Sequence, residues 1–259
     1  MESEQERAMN LAKQGLDAMN AGDNATARRL LQECMSIRQA LGDQSGVAKA
    51  LNNLANVDAQ EGNEEGAQAL WRQSLEMQRG LNNLRGMHCP LANLSAAAYR
   101  AGDYALVRDL EEQTVAVARE LGDHDYLAHS LDSLMQTAMT QQDYAYARRL
   151  QQESLSIKKQ LDLRDSLPNS LELCADLAFA MEDFERSALF FGAYAAQRAL
   201  LERPQHPQEK EEFAARVADL EAKLGEASCR AAYSRGKLMT LAQAIDAAAE
   251  FCAMPDSTE

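Results

Sequence analysis

Residues Leu54–Glu65, LANVDAQEGNEE, read as the end of one helix, a glycine turn and the start of the next. The arrangement returns forty residues later as LSAAAYRAGDYA, from Leu94, and again as LMQTAMTQQDYA, from Leu134. Aligned on this turn, Gly22, Gly62, Gly102, Gln142 and Glu182 stand at one spacing, followed by Asp23, Asn63, Asp103, Asp143 and Asp183. Glycine adopts the left-handed conformation that ends a helix, and Asp or Asn accepts a bond from an unpaired backbone N–H of the following one. Each turn therefore joins two antiparallel helices. Gln142 and Glu182 lack glycine's freedom, so those two turns are predicted to be strained or to use another geometry.

A second mark recurs with the same spacing, at Leu41-Gly42-Asp43, Leu81-Asn82-Asn83, Leu121-Gly122-Asp123 and Leu161-Asp162-Leu163, and separates one helix pair from the next. Leu11, Leu51, Leu91, Leu131 and Leu171 share one position within the pairs. Mostly small residues fill two others: Gly15, Ala55, Ser95, Met135 and Ala175, then Ala27, Ala67, Val107, Ala147 and Ser187. Small residues at two such places with a glycine–acid turn between them resemble the tetratricopeptide repeat. That family's unit is about 34 residues long; here it is forty, which implies helices of about 17 residues and roughly 25 Å. The resemblance covers residues 4 to about 202 and implies an all-α, right-handed α-solenoid of five helix pairs.

Such an array needs a cap at its open end. QEKEEFAARVADLEAKL, residues 208–224, places Phe213, Val217, Leu220 and Leu224 on one helical face before Gly225, and is predicted to fold back over the last pair. TLAQAIDAAAEF opens with the capping-box spacing of Thr240 and Gln243 and predicts another short helix. The expected organisation is a repeat array over 1–202, capping helices over 203–253 and a disordered tail over 254–259. The segment from SALFFGAYAAQRALL through LGEASCRAAYSRGKLMTLAQAIDAAAE also resembles the one that closes repeat arrays in large bacterial signal-transduction ATPases and transcription regulators; similar arrays are fused to bacterial serine/threonine kinases.

The chain has 259 residues, 46% of them hydrophobic, with five Pro and thirteen Gly, enough to bury a core and strongly helix-forming. Its net charge of −14 opposes non-specific attachment to phosphate backbones or anionic membranes. No apolar run approaches the roughly 18 residues of a membrane span, so a cytoplasmic protein is expected. Cys34, Cys89, Cys174, Cys229 and Cys252 are odd in number and scattered, which suits reduced thiols packed as small hydrophobes.

No phosphate-binding loop, zinc-protease helix or nucleophile elbow occurs, so neither catalysis nor a cofactor is expected. His88 beside Cys89 cannot complete a metal shell. His124 and His129, near Asp123 and Asp125, read as solvated turn residues, and His206, between Pro204 and Pro207, as a loop residue; no metal is expected. Glu111-Glu112 and Glu211-Glu212 fit exposed, charge-laced helix faces.

In the tetratricopeptide family the first helix of each pair lines the concave surface. Carried over position by position, the implied groove residues are Lys49, Asn52, Asn53, Asn56 and Gln60, then Asn93, Ala96, Tyr99 and Arg100. His129, Asp132, Ser133, Gln136 and Met139 follow, then Asn169, Glu172, Asp176 and Phe179. Asparagine both donates and accepts, so its row can pair with an extended peptide's backbone or, alternatively, satisfy neighbouring repeats. Lys13, Lys49 and Arg100 toward one end and Asp132, Glu172 and Asp176 toward the other suggest a charge gradient able to orient a ligand. The carboxylate clamp of chaperone-binding relatives is not reproduced. Met19, Ala59, Tyr99, Met139 and Phe179 form a further column, read either as inter-repeat core or as an apolar recognition strip.

The function expected is protein or peptide binding by a monomer or weak homodimer, without direct nucleic-acid or membrane contact. Two alternatives stay open: a small-molecule or inducer sensor with an enclosed pocket among Tyr99, Met139 and Phe179, and a self-assembling structural module.

Overall fold

The computed structural model describes residues 3–201 and 206–254. The start of the expected cap region at 203–205 and the tail at 255–259 lie outside the described residues. The described residues form thirteen helices and no strand. They divide into two compact units, the boundary falling between Gly122 and Asp123. The first unit holds three pairs: α1 (Glu4–Asn20) with α2 (Asn24–Ala40), α3 (Gln44–Gln60) with α4 (Glu64–Gly80), and α5 (Leu84–Arg100) with α6 (Tyr104–Leu121). The second holds α7 (His124–Thr140) with α8 (Tyr144–Gln160), α9 (Leu167–Ala180) with α10 (Phe184–Leu200), and then α11 (Pro207–Leu224), α12 (Glu226–Lys237) and α13 (Leu241–Ala253). The fold is the all-α, solenoid type that the forty-residue period predicted.

The turns inside the five pairs keep one geometry. Gly62 has φ +81°, and its N–H donates to the Ala59 carbonyl while that of Asn63 donates to Asp58. Gln142 and Glu182, both at φ +61°, repeat those bonds to Met139 and Phe179, and Asp143 and Asp183 to Ala138 and Ala178. Of the two outcomes predicted, the strained one occurs: both side chains accept a left-handed backbone. The Asp or Asn that follows caps the next helix, Asn63 accepting from Gly66 and Asp143 from Tyr146. The helices of the five pairs have the predicted 17 residues, except α6 with 18 and α9 with 14. α9 is short because its start carries Pro168 after the turn at Asp162–Asp165.

Small side chains set the distance within a pair. Ala27, Ala67, Ala147 and Ser187 have no exposed surface, and a Cβ on Gly15 would lie 2.9 Å from Leu31. Ser74 and Ser154, two repeats apart, each turn a hydroxyl to the first helix of their pair: Ser74 donates to the Ala48 carbonyl (2.7 Å), and Ser154 lies 3.2 Å from the Ala128 carbonyl while donating to Asp132. In the first unit α1 touches α3 and α3 touches α5; in the second, α7 touches α9. The first helices of neighbouring pairs within a unit therefore form its inner layer.

The cap holds one helix more than the two predicted. α12, which the sequence did not single out, packs on α10 so closely that a Cβ on Gly236 would fall 1.9 Å from the Leu189 carbonyl oxygen, and one on Gly192 2.0 Å from that of Tyr233. α13 packs against α8, α9 and α10, with Phe251 5.7 Å from Phe190. It opens with the predicted capping box of Thr240 and Gln243. α11 occurs as predicted and packs on α10 of the last pair and on α12; Leu220 is fully buried and Phe213, Val217 and Leu224 half-buried, while the Arg216 side chain reaches Glu172 and Asp176 on α9. His206 is not a plain loop residue: it is the N-cap of α11, its ring nitrogen accepting from Gln208. Four cysteines are buried as predicted, whereas Cys89 is exposed.

Two outcomes follow for thermal or denaturant unfolding. Gly236→Ala loses about 3 kcal/mol, because backbone meets the new methyl and the two helices must part. Glu182→Gly gains about 0.5–1 kcal/mol, the relief of a left-handed side chain less the added freedom of the unfolded chain.

Candidate functional site

In the first unit the asparagine row turns largely on itself. Asn93 donates from one Nδ2 to Asn52 Oδ1 (3.1 Å) and Asn56 Oδ1 (3.0 Å), and the Trp71 indole also donates to Asn56 (2.9 Å). Asn52 is buried; Asn53 is half-buried. These side chains tie the second pair to the third, the alternative role that the sequence left open. Lys49, Gln60 and Ala96 are exposed, and Arg100 lies 3.2 Å from Glu64 in a surface pair that contributes little. Tyr99 is 60% exposed with its ring edge-on to Tyr104, whereas Met19, in the same column, packs against the Ala27–Leu31–Leu54–Val57 core. That column is neither wholly core nor wholly strip.

In the second unit the structure brings most of the predicted residues to one place. His129, Asp132, Ser133 and Gln136 of α7 and Asn169 and Glu172 of α9 face a hollow of about 600 Å³. Its far wall comes from residues that the sequence did not place there: Tyr194 and Arg198 of α10 and Glu209, Glu212, Phe213 and Arg216 of α11. A second hollow of about 500 Å³ adjoins it, reaching Met139 and Asp176. Phe179 lies apart from these, its ring 5.4 Å from that of Phe184. His129 is a helical residue rather than a turn residue, exposed, and 3.8 Å from Asp125.

The acids of this face are not free charges, which corrects the predicted gradient. Asp132 is bound by Lys158, whose side chain is buried, and by the Ser154 hydroxyl at 2.5 Å. Lys158 also donates to Ser170 at 2.8 Å. Glu172 and Asp176 both pair with Arg216, Asp176 at 3.0 Å. Burial pushes the Asp176 carboxyl up to about 6; the charge of Glu172 adds to this and that of Arg216 opposes it. Tyr194 is likewise pushed up by burial and by Glu172 beside it. Neither Lys158 nor Arg216 announces its role in the sequence, because each meets its acid across 26 to 44 residues.

Lys158→Ala leaves Asp132 in a poorly solvated site without its cation, so a loss of about 3–5 kcal/mol is expected in denaturant unfolding. Asp176 has the opposite sign to a paired surface acid. Its folded pKa is raised, so its stabilisation is complete below about pH 4 and is lost as pH rises through about 6. The stability of the natural chain relative to Asp176→Asn therefore increases on going from pH 7 to pH 4, by about 1–2 kcal/mol after allowance for solvent screening; melting curves at the two pH values measure it.

Residues 5–80 match the family profile described as tetratricopeptide repeat. Among solved structures, the chain resembles the nearly identical TPR-like repeats of a putative kinesin light chain from Podosopora anserina, with a TM-score of 0.63 at 17% identity over 79% of this chain and 100% of that one. BtubC (BKLC) from P. vanneervenii gives 0.61 at 18% identity, over 91% and 94%. The apo form of RapI gives 0.59 at 15%, over 95% and 87%. No curated protein matches the chain in sequence. No helix among the described residues is long and apolar enough to cross a membrane. The first two helix pairs are thus tetratricopeptide repeats by sequence, and the chain as a whole has the tetratricopeptide-repeat fold.

Proposed function

We propose that this chain is a non-catalytic recognition scaffold, holding a protein or an extended peptide against the inner face of its helix pairs. The observation that carries the reading is the hollow of about 600 Å³ on the inner layer of the second unit, walled by His129, Ser133, Gln136 and Asn169 among other polar groups. A cavity of that size takes several residues of peptide, and exposed amide and imidazole groups offer both donors and acceptors to its backbone. In the first unit Lys49, Asn53, Gln60 and Tyr99 remain accessible on the corresponding face. The setting is bacterial signalling or transcriptional regulation in the cytoplasm, a context that rests on the resemblance of the closing segment and suits five unpaired cysteines. Occupation of the face would bias whatever domain is coupled to it by preferring one of that domain's states.

The same hollow supports a second reading, a sensor for a short peptide inducer. Its walls are the ones just described rather than the enclosed Tyr99, Met139 and Phe179 pocket of the sequence reading. Both readings place the ligand on the inner face.

Peptides selected by display against the full chain test this. Their affinity is expected to fall at least tenfold for a His129→Ala, Gln136→Ala, Asn169→Ala chain, whose altered side chains are all exposed. It should be unchanged for Gln152→Ala, Ser156→Ala on α8. Equal effects of the two sets, or no effect of the first, would refute the assignment.

A further inference from the structure

The second unit already carries an arginine on its inner face, supplied by its own chain. Arg216 extends from α11 to Glu172 and Asp176, with Asp176 oxygens at 3.0 and 3.1 Å. Its guanidinium lies 5.4 Å from the Phe191 ring and 5.9 Å from that of Phe213. Phe213 in turn sits 5.6 Å from Phe191 and 5.5 Å from Tyr194. Two carboxylates and an aromatic shelf satisfy a guanidinium's planar fork and its attraction to ring faces together.

Space remains on both sides of this arginine. The two hollows share Gln136, Glu172, Leu173 and Arg216 in their walls, so the Arg216 side chain stands where they meet. With α11 set aside, its own Glu209 and Glu212 leave as well; on the walls of the two hollows Asp132 keeps Lys158, while Glu172 and Asp176 have lost their cation and outnumber Arg198, which favours a cationic occupant. The helix that brings Arg216 packs against α10 and α12 with one fully buried side chain, Leu220, and three half-buried ones, Phe213, Val217 and Leu224, a shallower seat than that of α12 on α10, from which Gly225 at φ +85° separates it.

We propose that this face docks an arginine-bearing peptide whose guanidinium replaces that of Arg216 between Glu172 and Asp176, with an aromatic side chain one helical turn away replacing Phe213 against Phe191 and Tyr194. The inference rests on the recognition reading above and specifies the chemistry of its ligand. α11 is then an internal competitor, and the apparent affinity for an outside peptide is reduced by the fraction of chains in which α11 is seated.

The test uses the full chain and a fluorescently labelled peptide of residues 207–224, titrated by fluorescence polarisation. The side chain of Arg216 is 37% exposed, so Arg216→Ala loosens α11 without opening a core. The peptide is expected to bind the Arg216→Ala chain at least tenfold more tightly than the natural one. It should lose at least tenfold when its own arginine is changed to Ala, or when Glu172→Gln and Asp176→Asn are added to the receiving chain. Phe213→Ala loosens the same helix from its other anchor and must also tighten binding; melting curves establish that each chain is folded. Absence of binding to both loosened chains, or binding indifferent to the peptide's arginine, overturns the proposal. Display-selected peptides that need His129, Gln136 and Asn169 but carry no arginine would defeat this specificity alone, whereas a lack of any binder dependent on the inner face would remove the recognition reading as well.

Discussion

A helix pair with a single apolar stripe can hide that stripe only against another pair, and this governs everything else in the chain. The burial of Leu91, Leu131 and Leu171 is complete, each contributing about 1.5–3 kcal/mol when removed from water. Such burial needs the backbones close enough for side chains to interlock. Ala27, Ala67 and Ala147 provide that distance by adding almost no bulk, and Gly15 provides it by adding none. Because first helices touch first helices within each unit, the inner layer is where neighbouring pairs constrain one another most directly. Polar side chains placed on that layer therefore have two fates, internal pairing or exposure to a ligand.

One register position shows the first fate three times. Asn52, Asp132 and Glu172 stand at spacings of eighty and forty on the first helices of their pairs, and each is met by a different kind of partner. Asn93 of the next pair donates to Asn52, Lys158 of its own pair binds Asp132, and Arg216 of the cap binds Glu172. A buried ionic contact is poor evidence of net stabilisation, since desolvation offsets much of the attraction, yet losing one member is costly. These contacts discriminate between registers more than they add to stability. A pair shifted by one helical step would leave Asp132 or Lys158 without its counterpart.

This explains which parts of the molecule were legible in the sequence. Turns and caps are local: Gly62 or Glu182 and the Asn or Asp after it determine their own geometry, so a forty-residue comparison finds them even where glycine is missing. The capping box at Thr240 is local too. Which residues share a helix face was also recoverable, because a periodic helix presents one face, and Gln136, Asn169 and His129 do line one hollow. The pairing of its charges was not. Arg216 meets Asp176 across forty residues and from a segment outside the repeat, where no periodic comparison applies. α12 escaped for a related reason: EASCRAAYSRGK carries only short buried side chains, Cys229, Ala232 and Gly236, and so lacks the leucine stripe that marks the other helices.

That contrast between α12 and α11 separates what the cap does for stability from what it does at the inner face. α12 achieves backbone contact through Gly192 and Gly236, a fit that leaves no room for rearrangement by even a methyl group. α11 relies on one buried leucine, on half-buried Phe213, Val217 and Leu224, and on an arginine held by two acids. A helix meant only to seal the array would be expected to resemble the first, with its apolar face driven into the last pair. Partial burial instead leaves Asp176 with a raised pKa, so the contact holding α11 is itself imperfectly compensated. The closest packing on the core and the contact with the inner face are therefore carried by different helices of the cap.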